Sequence, residues 1–409
     1  MPFLSLLDNR AKPKGSRDPL GFELVWSHFG RKVIGNLTTI TSSMDNFAVA
    51  LLGFLWANQL VTVEEECERH KKIREIFLRY EQLTGYIRYL GKAQDIMGVT
   101  RVQKRILDES FKLTLGLGME QQILSDQASY GLWGLYSTAA RDTGLVEGNN
   151  RAVTPLGRSI ADAIVKQLGE ASEELYKLIG LNKTLDRGQL EQIAPTFMKA
   201  IHHQSVQQPL LNALMSGSDP HAIQNELWHI TKQLYRDKGE TIGETADFVS
   251  EVLKTKPSAE LTQSLHEIMS IERILVAANN IFHYCRRKDG EHLDSIFKTL
   301  DGHYSYAYLP KNVPDTDFPR RDTLRSILEA FQHNDSRRVV SEVLSLNKSV
   351  MQQRSGAPWV ELESGDTLRV KVKSEKAELR QQEELEQKWD YDYFIGSFVK
   401  IAHQNLGKA

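Results

Sequence analysis

From Phe47 to Ala57 the chain reads FAVALLGFLWA, without one polar side chain. A helix through this run is apolar on every side and has no face to offer water. It is about half the roughly 20 residues that a bilayer-spanning helix needs. Burial at the centre of a core is the remaining solution. Asp45 stands just ahead of the run, where its carboxylate suits the N-cap of a helix over Asn46–Asn58. A chain of 409 residues can surround such a helix with one large core or two to three ordinary ones. Hydrophobic residues make up 41% and charged residues 25%, the balance of a folded chain rather than a disordered one.

Charge and cysteine content narrow the setting. The formal net charge is −2, so the whole chain has no electrostatic pull toward DNA or an anionic membrane, and any nucleic-acid contact must come from a local patch. Cys67 and Cys285 lie far apart with no companion, which argues against a disulfide framework and fits a reducing cytoplasm. The apolar run near the start is too short for the core of a signal peptide. A cytoplasmic protein with no membrane partner is expected.

Along the chain, the expected divisions are an exposed arm (1–21), an N-terminal helical domain (22–100), a module over 101–168, a helical domain (169–300), a linker (301–321) and a C-terminal helix–hairpin–helix region (322–409). A long helix over Glu64–Leu90 has an acidic first turn, as a helix dipole favours. Ile73, Ile76, Tyr80, Leu83, Ile87 and Leu90 recur at helical spacing on one face. Between Lys71 and Arg105 the balance turns basic, with only Glu75, Glu81 and Asp95 opposing Lys71, Lys72, Arg74, Arg79, Arg88, Lys92, Arg101, Lys104 and Arg105. Further on, Asp219-Pro220 reads as a cap and first helical residue ahead of Ile223, Leu227, Ile230 and Leu234. Pro257-Ser258 opens a helix that faces Leu261, Leu265, Ile268, Leu275 and Ala278 inward. Asp322 and Asp335 are candidate caps for two later helices. Alternation in 359–363 and 367–373 around Ser364-Gly365-Asp366 predicts a β-hairpin.

The most organised stretch is Met119–Leu168. A helix over about Ser129–Asp142 is followed by Thr143-Gly144-Leu145-Val146-Glu147, the turn Gly148-Asn149-Asn150, and Arg151-Ala152-Val153 running into Thr154-Pro155, which opens another helix. Over about 101–168 this pattern resembles the winged helix–turn–helix superfamily, and the resemblance does not extend to the rest of the chain. It implies a wing at 145–153 and a reading helix at 129–142. Readers of DNA present Arg, Lys, Asn or Gln from that helix. Here it carries Gly131, Leu132, Trp133, Leu135 and Tyr136, with Arg141 and Asp142 as its only charges. That is a packing surface, so Leu132, Trp133 and Tyr136 are candidate interaction residues. Arg101, Lys104, Arg105, Arg151 and Arg158 are the candidates for contact with nucleic-acid phosphates, the alternative being an ordinary solvated face.

Signs of chemistry are sparse. His283, Cys285 and His292 come nearest to a metal set, but zinc sites use four ligands, and positions 283 and 285 point to different faces of a helix. Pro314-Asp315 ahead of a hairpin bearing Glu361, Glu363, Lys371 and Lys373 superficially resembles a Mg²⁺-dependent nuclease, yet neither strand carries an ExK or DxK. Walker A, GxGxxG, GxSxG and HExxH motifs are missing. No catalytic residue, metal or cofactor is assigned. The expectation is a mainly α-helical chain with an embedded winged helix and a small C-terminal hairpin, serving as a non-catalytic accessory or scaffold subunit of a bacterial cytoplasmic assembly, bound to other protein subunits. The winged helix beside a basic stretch points to DNA transactions such as antiviral defence. Two other readings stay open: a regulator holding DNA phosphates through the wing and the 101–105 helix, and an enzyme of unrecognised type.

Overall fold

The computed structural model describes residues 12–180, 184–217, 223–238, 243–363, 365–375 and 378–406. It is 63% helix and 4% strand, so the chain is mainly helical. In chain order the first helices are α1 (Glu23–Val33), α2 (Met44–Leu60), α3 (Glu66–Leu90), α4 (Val99–Leu107), α5 (Gln127–Tyr130) and α6 (Leu132–Asp142). A hairpin of β1 (Val146–Glu147) and β2 (Ala152–Val153) precedes α7 (Pro155–Leu168), α8 (Glu170–Gly180), α9 (Arg187–Ile201), α10 (Gln204–Ser216) and α11 (Ile223–Lys238). Next come α12 (Thr245–Lys254), α13 (Ala259–Cys285), α14 (Leu293–Leu300), α15 (Arg321–Gln332) and α16 (Ser336–Gln353). A second hairpin, β3 (Val360–Glu363) with β4 (Thr367–Val370), leads to α17 (Gln382–Gln387) and α18 (Ile395–Leu406). Both hairpins are antiparallel, with Val146 opposite Val153 and Val360 opposite Val370. Among the described residues no helix is long and apolar enough to cross a membrane.

Two compact units are drawn from interleaved parts of the chain, 12–33 with 243–393 and 34–238 with 394–406. In the first, α13 is the axis, contacted by α1, α12, α15, α16 and α17. Leu261, Leu265, Ile268, Leu275 and Ala278 are all buried on it, and the Ser258 hydroxyl accepts from Leu261 N at 3.3 Å to start the helix. Midway along, buried Glu272 accepts from the Tyr393 hydroxyl at 2.7 Å, from Tyr391 N at 3.1 Å and from Asp390 N. Burial pushes its carboxyl up to about 8. Of the arm read from the sequence as exposed, residues 12–15 and 17 are exposed, whereas Asp18, Leu20 and Gly21 are buried, and hydrogen bonds hold the segment down. Trp359 Nε1 donates to the Lys14 carbonyl at 2.9 Å, Asn347 Nδ2 to that of Pro19 at 2.9 Å, and Asp18 accepts from Phe22 N at 2.7 Å to open α1.

In the second unit α2 is the hub, touching α3, α6, α7, α9 and α10. Every residue from Phe47 to Ala57 is buried, as an all-round apolar helix requires. α18 joins this unit against α10 and α11, burying Phe398 and Ile401. α7 opens as expected, with the Thr154 hydroxyl accepting from Gly157 N at 3.1 Å and proline at the first helical position.

Several local expectations need correction. α2 starts at Met44 after Ser43, so Asp45 lies within the first turn, and its carboxylate pairs with His202 Nε2 at 2.9 Å instead of capping. α15 starts after Arg320 in a left-handed conformation (φ 64°), which puts Asp322 inside the helix, bonded to Arg325 at 3.1 Å. The single helix expected over Ser129–Asp142 is two, α5 and α6, broken at Gly131. On α3 burial is wider than one stripe. Ile76 and Leu90 are half-buried, whereas Phe77, Leu78, Gln82 and Tyr86 are fully buried, because α2, α4, α8 and α9 surround the helix. Ile230 is half-buried on α11, where Ile223, Leu227 and Leu234 are buried. Asp219-Pro220 and Ser364 lie outside the described residues.

Gly53 sets the spacing of α2 on α3. A Cβ there would fall 2.5 Å from the Tyr80 ring and 2.8 Å from that of Phe77. The Tyr80 ring has no room to withdraw, because its hydroxyl donates to the Val49 carbonyl at 2.9 Å. In Gly53→Ala the ~1 kcal/mol gain in helix propensity opposes an overpacking cost of about 1–3 kcal/mol. We expect the overlap to dominate and the thermal midpoint to fall; an unchanged or raised midpoint would show that the two helices tolerate wider spacing.

Candidate functional site

The functional candidates gather around α6, whose position is fixed by a buried carboxylate on α3. Glu81 Oε1 accepts from Leu132 N at 2.6 Å, at the free N-terminus of α6, and Oε2 accepts from Gln127 Nε2 at 2.9 Å. A Cβ on Gly131 would lie 2.6 Å from this carboxylate, so glycine at the break between α5 and α6 is what lets Glu81 in. Gln127 Nε2 also donates to the Leu78 carbonyl, and Gln82 Nε2 bonds Gln127 Oε1 at 3.1 Å. Two turns further along α3, Arg88 Nη1 donates to Asn46 Oδ1 at 2.7 Å, and Asn46 donates to the Tyr136 hydroxyl at 3.0 Å. Desolvation raises the Glu81 carboxyl to about 7, against the lowering effect of the bonds from Leu132 and Gln127.

With α6 so placed, Trp133 packs against Phe77 at 5.4 Å, His70 at 5.8 Å and Phe54 at 5.9 Å, and its remaining face is covered by Arg151 at 3.8 Å. Such a stack contributes about 0.5–2 kcal/mol. Arg151 Nε also donates to Ser137 Oγ at 2.9 Å, one turn along α6, and Nη1 reaches the Asn149 carbonyl. The backbone of Arg151 is left-handed (φ 52°), a conformation that costs a non-glycine residue roughly 1–2 kcal/mol. Other side chains hold the same turn. Asn58 Nδ2 donates to the Asn150 carbonyl at 3.0 Å, and His70 Nδ1 is paired with Asn150 Oδ1 at 3.1 Å. An open groove of about 620 Å³ runs along the turn, lined by Glu65, Glu66, Cys67, His70, Asn149, Asn150 and Arg151. Glu65 is engaged there in capping α3 through Cys67 N and Glu68 N.

The residues singled out by sequence are not brought together. Leu132, Trp133 and Tyr136 are buried in the unit's own core, Tyr136 edge-on to Phe47 at 4.9 Å. Arg105 is buried too, donating to the Tyr86 hydroxyl at 3.1 Å and to the Gln121 and Gln122 carbonyls at 2.8 Å. Arg101, one turn before Arg105 on α4, is exposed and donates to the same Gln122 carbonyl at 3.3 Å; Lys104 is exposed on α4, and Arg158 near the start of α7. Arg151 is half-buried on Trp133. Sequence reasoning missed His70, Asn58 and Asn150. The available signal was helical spacing, since Trp133, Ser137 and Arg141 recur every four residues on α6, as His70 and Arg74 do on α3.

Elsewhere, the acidic residues weighed for a nuclease each hold a cation. Asp315 pairs with Arg321 at 2.6 Å, Glu361 with Lys371 at 2.6 Å, and Glu363 with Arg369 at 3.0 Å. His283 Nδ1 is paired with Ser374 Oγ at 3.1 Å, and burial pushes the Cys285 thiol up to about 12. Among the described residues no three His, Cys, Asp or Glu side chains stand together as a metal site needs. No protein-family model, curated protein or solved structure shows a significant match to the chain. Function has to be read from these side chains themselves.

The Glu81 carboxyl titrates higher folded (about 7) than at its ordinary 4.5, so between those values the folded protein holds a proton that the unfolded chain has released. Its contribution to stability is therefore lost as pH rises from about 4.5 to 7. Glu272 acts with the same sign up to about 8. Glu81→Gln keeps an acceptor for Leu132 N and removes the titration. Its thermal midpoint should fall less than the wild type's between pH 5 and pH 8, and an identical fall in both would remove Glu81 as the cause.

Proposed function

We propose that this chain is a non-catalytic accessory or scaffold subunit of a larger cytoplasmic assembly, and that it docks on a protein partner through α4 and the loop after it. The supporting observation is a long irregular segment, 108–126, that is bolted down from beneath yet shows apolar side chains to solvent. Arg105 holds the carbonyls of Gln121 and Gln122, Arg187 those of Ile106 and Phe111, and Gln82 both donates to and accepts from Gly116. Loops of this length without regular structure are commonly functional when they are ordered. Leu107 (68% exposed), Met119 (83%), Leu117 and Val99 sit on this platform. Apolar side chains turned to water on a hydrogen-bonded backbone suit a protein-docking surface.

A second reading is supported by element order. The succession α5, α6, β1, β2, α7 is that of a winged helix–turn–helix, with the 148–151 turn as its wing. In that reading α6 is the helix a DNA reader inserts, and its large side chains lie inward. Contact with nucleic acid would then be to phosphates through exposed Arg101, Lys104 and Arg158, with no base reading. Participation in DNA transactions, antiviral defence among them, belongs to this reading.

The double variant Leu107→Glu, Met119→Glu separates the two. Both sites are exposed, so its thermal midpoint should stay at the wild-type value. Under the docking reading a partner co-purifies with the wild-type chain after gentle lysis and is lost from the variant. A wild-type chain recovered alone, or a partner retained by the variant, would sink it. The nucleic-acid reading expects a mobility shift at low salt that weakens on charge reversal at Lys104 and Arg158; no shift by the wild type removes it.

A further inference from the structure

We propose that the cleft between the 311–315 loop and one face of α15 binds a small organic acid, a single carboxylate carried on a short apolar body. The cleft belongs to the unit built on α13 and encloses about 380 Å³, a volume typical of small-molecule sites. It does not depend on the docking surface at α4. On the helix side it is lined by Arg321, Arg325, Leu328, Glu329 and Gln332, which the helical repeat places on one face of α15.

The facing wall is irregular chain, Lys311, Asn312, Val313 and Asp315, and it is fixed from several sides. Gln332 Nε2 donates to the Pro310 and Lys311 carbonyls at 2.8 and 3.0 Å, and Arg273 Nη1 to that of Tyr308 at 3.2 Å. The side chains of Leu309, Val313 and Phe318 are buried. At the other end Arg321 Nη2 donates to Asp315 Oδ1 at 2.6 Å. Gln332 and Arg321 thus tie the loop to the helix at two points about 16 Å apart along the α15 axis. A wall held at both ends loses little freedom when a ligand arrives, and it suits a short molecule better than a chain running through.

Between the two ties, donors are left over. The Lys311 ammonium and the Asn312 amide have no hydrogen-bond partner among the described residues. Arg325 uses Nη1 on Asp322 at 3.1 Å and Arg321 uses Nη2 on Asp315, which leaves the second terminal nitrogen of each guanidinium unbonded. The Arg321 stem is enclosed as far as Nε, so its fork is held in place. Glu329 does not compete for these donors, because its Oε2 accepts from Arg338 Nη2 at 3.0 Å.

Charge and floor define the ligand. Three cations, Lys311, Arg321 and Arg325, line the cleft against two carboxylates, Asp315 and Glu329, a surplus of one positive charge. One carboxylate balances it, and its two oxygens match the paired N–H groups of a guanidinium. Val313 and Leu328, 7% and 2% exposed, form an apolar floor for the hydrocarbon part.

Titration calorimetry and thermal shift on the full chain at neutral pH test this, with 4-methylpentanoate, its uncharged amide 4-methylpentanamide, and inorganic phosphate as probes. The acid should bind the wild type and raise its thermal midpoint, and the amide should bind at least tenfold more weakly. The double variant Lys311→Gln, Arg325→Gln changes two exposed side chains, so it should keep the ligand-free midpoint while binding the acid at least tenfold more weakly. Lys254→Gln, exposed on α12 and outside both the cleft and the docking surface, should bind as wild type does. A wild type that does not bind the acid, an amide that binds as well as the acid, or phosphate that binds more tightly would each overturn the proposal. So would a double variant that binds as wild type, or an equal loss in Lys254→Gln. None of these results bears on docking at α4, which uses other residues.

Discussion

A helix with no polar face has to be enclosed, and α2 makes that demand of everything near it. Each of its neighbours must bring an apolar surface, and α3 must also come close enough for Gly53 to lie against the rings of Tyr80 and Phe77. Once α3 is drawn into the middle of the unit in this way, its own polar residues are carried inside with it. Glu81, Gln82 and Arg88 are buried as a result, and each needs internal partners. Those partners are the loop at Gly116, the N-terminus of α6 and the Asn46–Tyr136 pair. The polar lattice that positions α6 follows from the burial of the apolar helix α2.

How much of this could be read beforehand depends on how far apart the partners lie. The buried α2, the Thr154 and Ser258 helix starts, the inward stripe of α13 and the second hairpin are local patterns, and the sequence displays them. Glu81 looked like one more charge in a charged helix, because its partner Leu132 lies 51 residues further on. Asp45 and Asp322 had the right residue type for caps, but each lies one position past the first residue of its helix. A propensity cannot resolve that offset, since the neighbouring chain decides it. The interleaving of the two units was equally hidden, for nothing local in α1 or α18 specifies the distant helices each one joins.

The arginines show why residue type alone misleads about a site. Arg105 and Arg101 stand on one short basic helix and both reach the Gln122 carbonyl, yet Arg105 is buried with a tyrosine and a second carbonyl while Arg101 stays at the surface. Arg151 has a third fate, laid flat on a tryptophan with its charge unneutralised. Composition counts the three as equals. Solvation and hydrogen bonding make them a structural brace, a surface cation and an oriented donor.

The interleaved division of the chain has a consequence for the order in which the protein can form. During synthesis α10 and α11 emerge long before α18, the helix that covers them with Phe398 and Ile401. Until that last helix arrives, their apolar faces stay open, and segment 243–393 must be made and assembled meanwhile around a helix, α1, that was among the first to appear. Neither unit can therefore be finished while the other is still to be begun. Closure of the second unit waits for α18, and until that helix is made the faces it covers are open surface of the kind on which chaperones act.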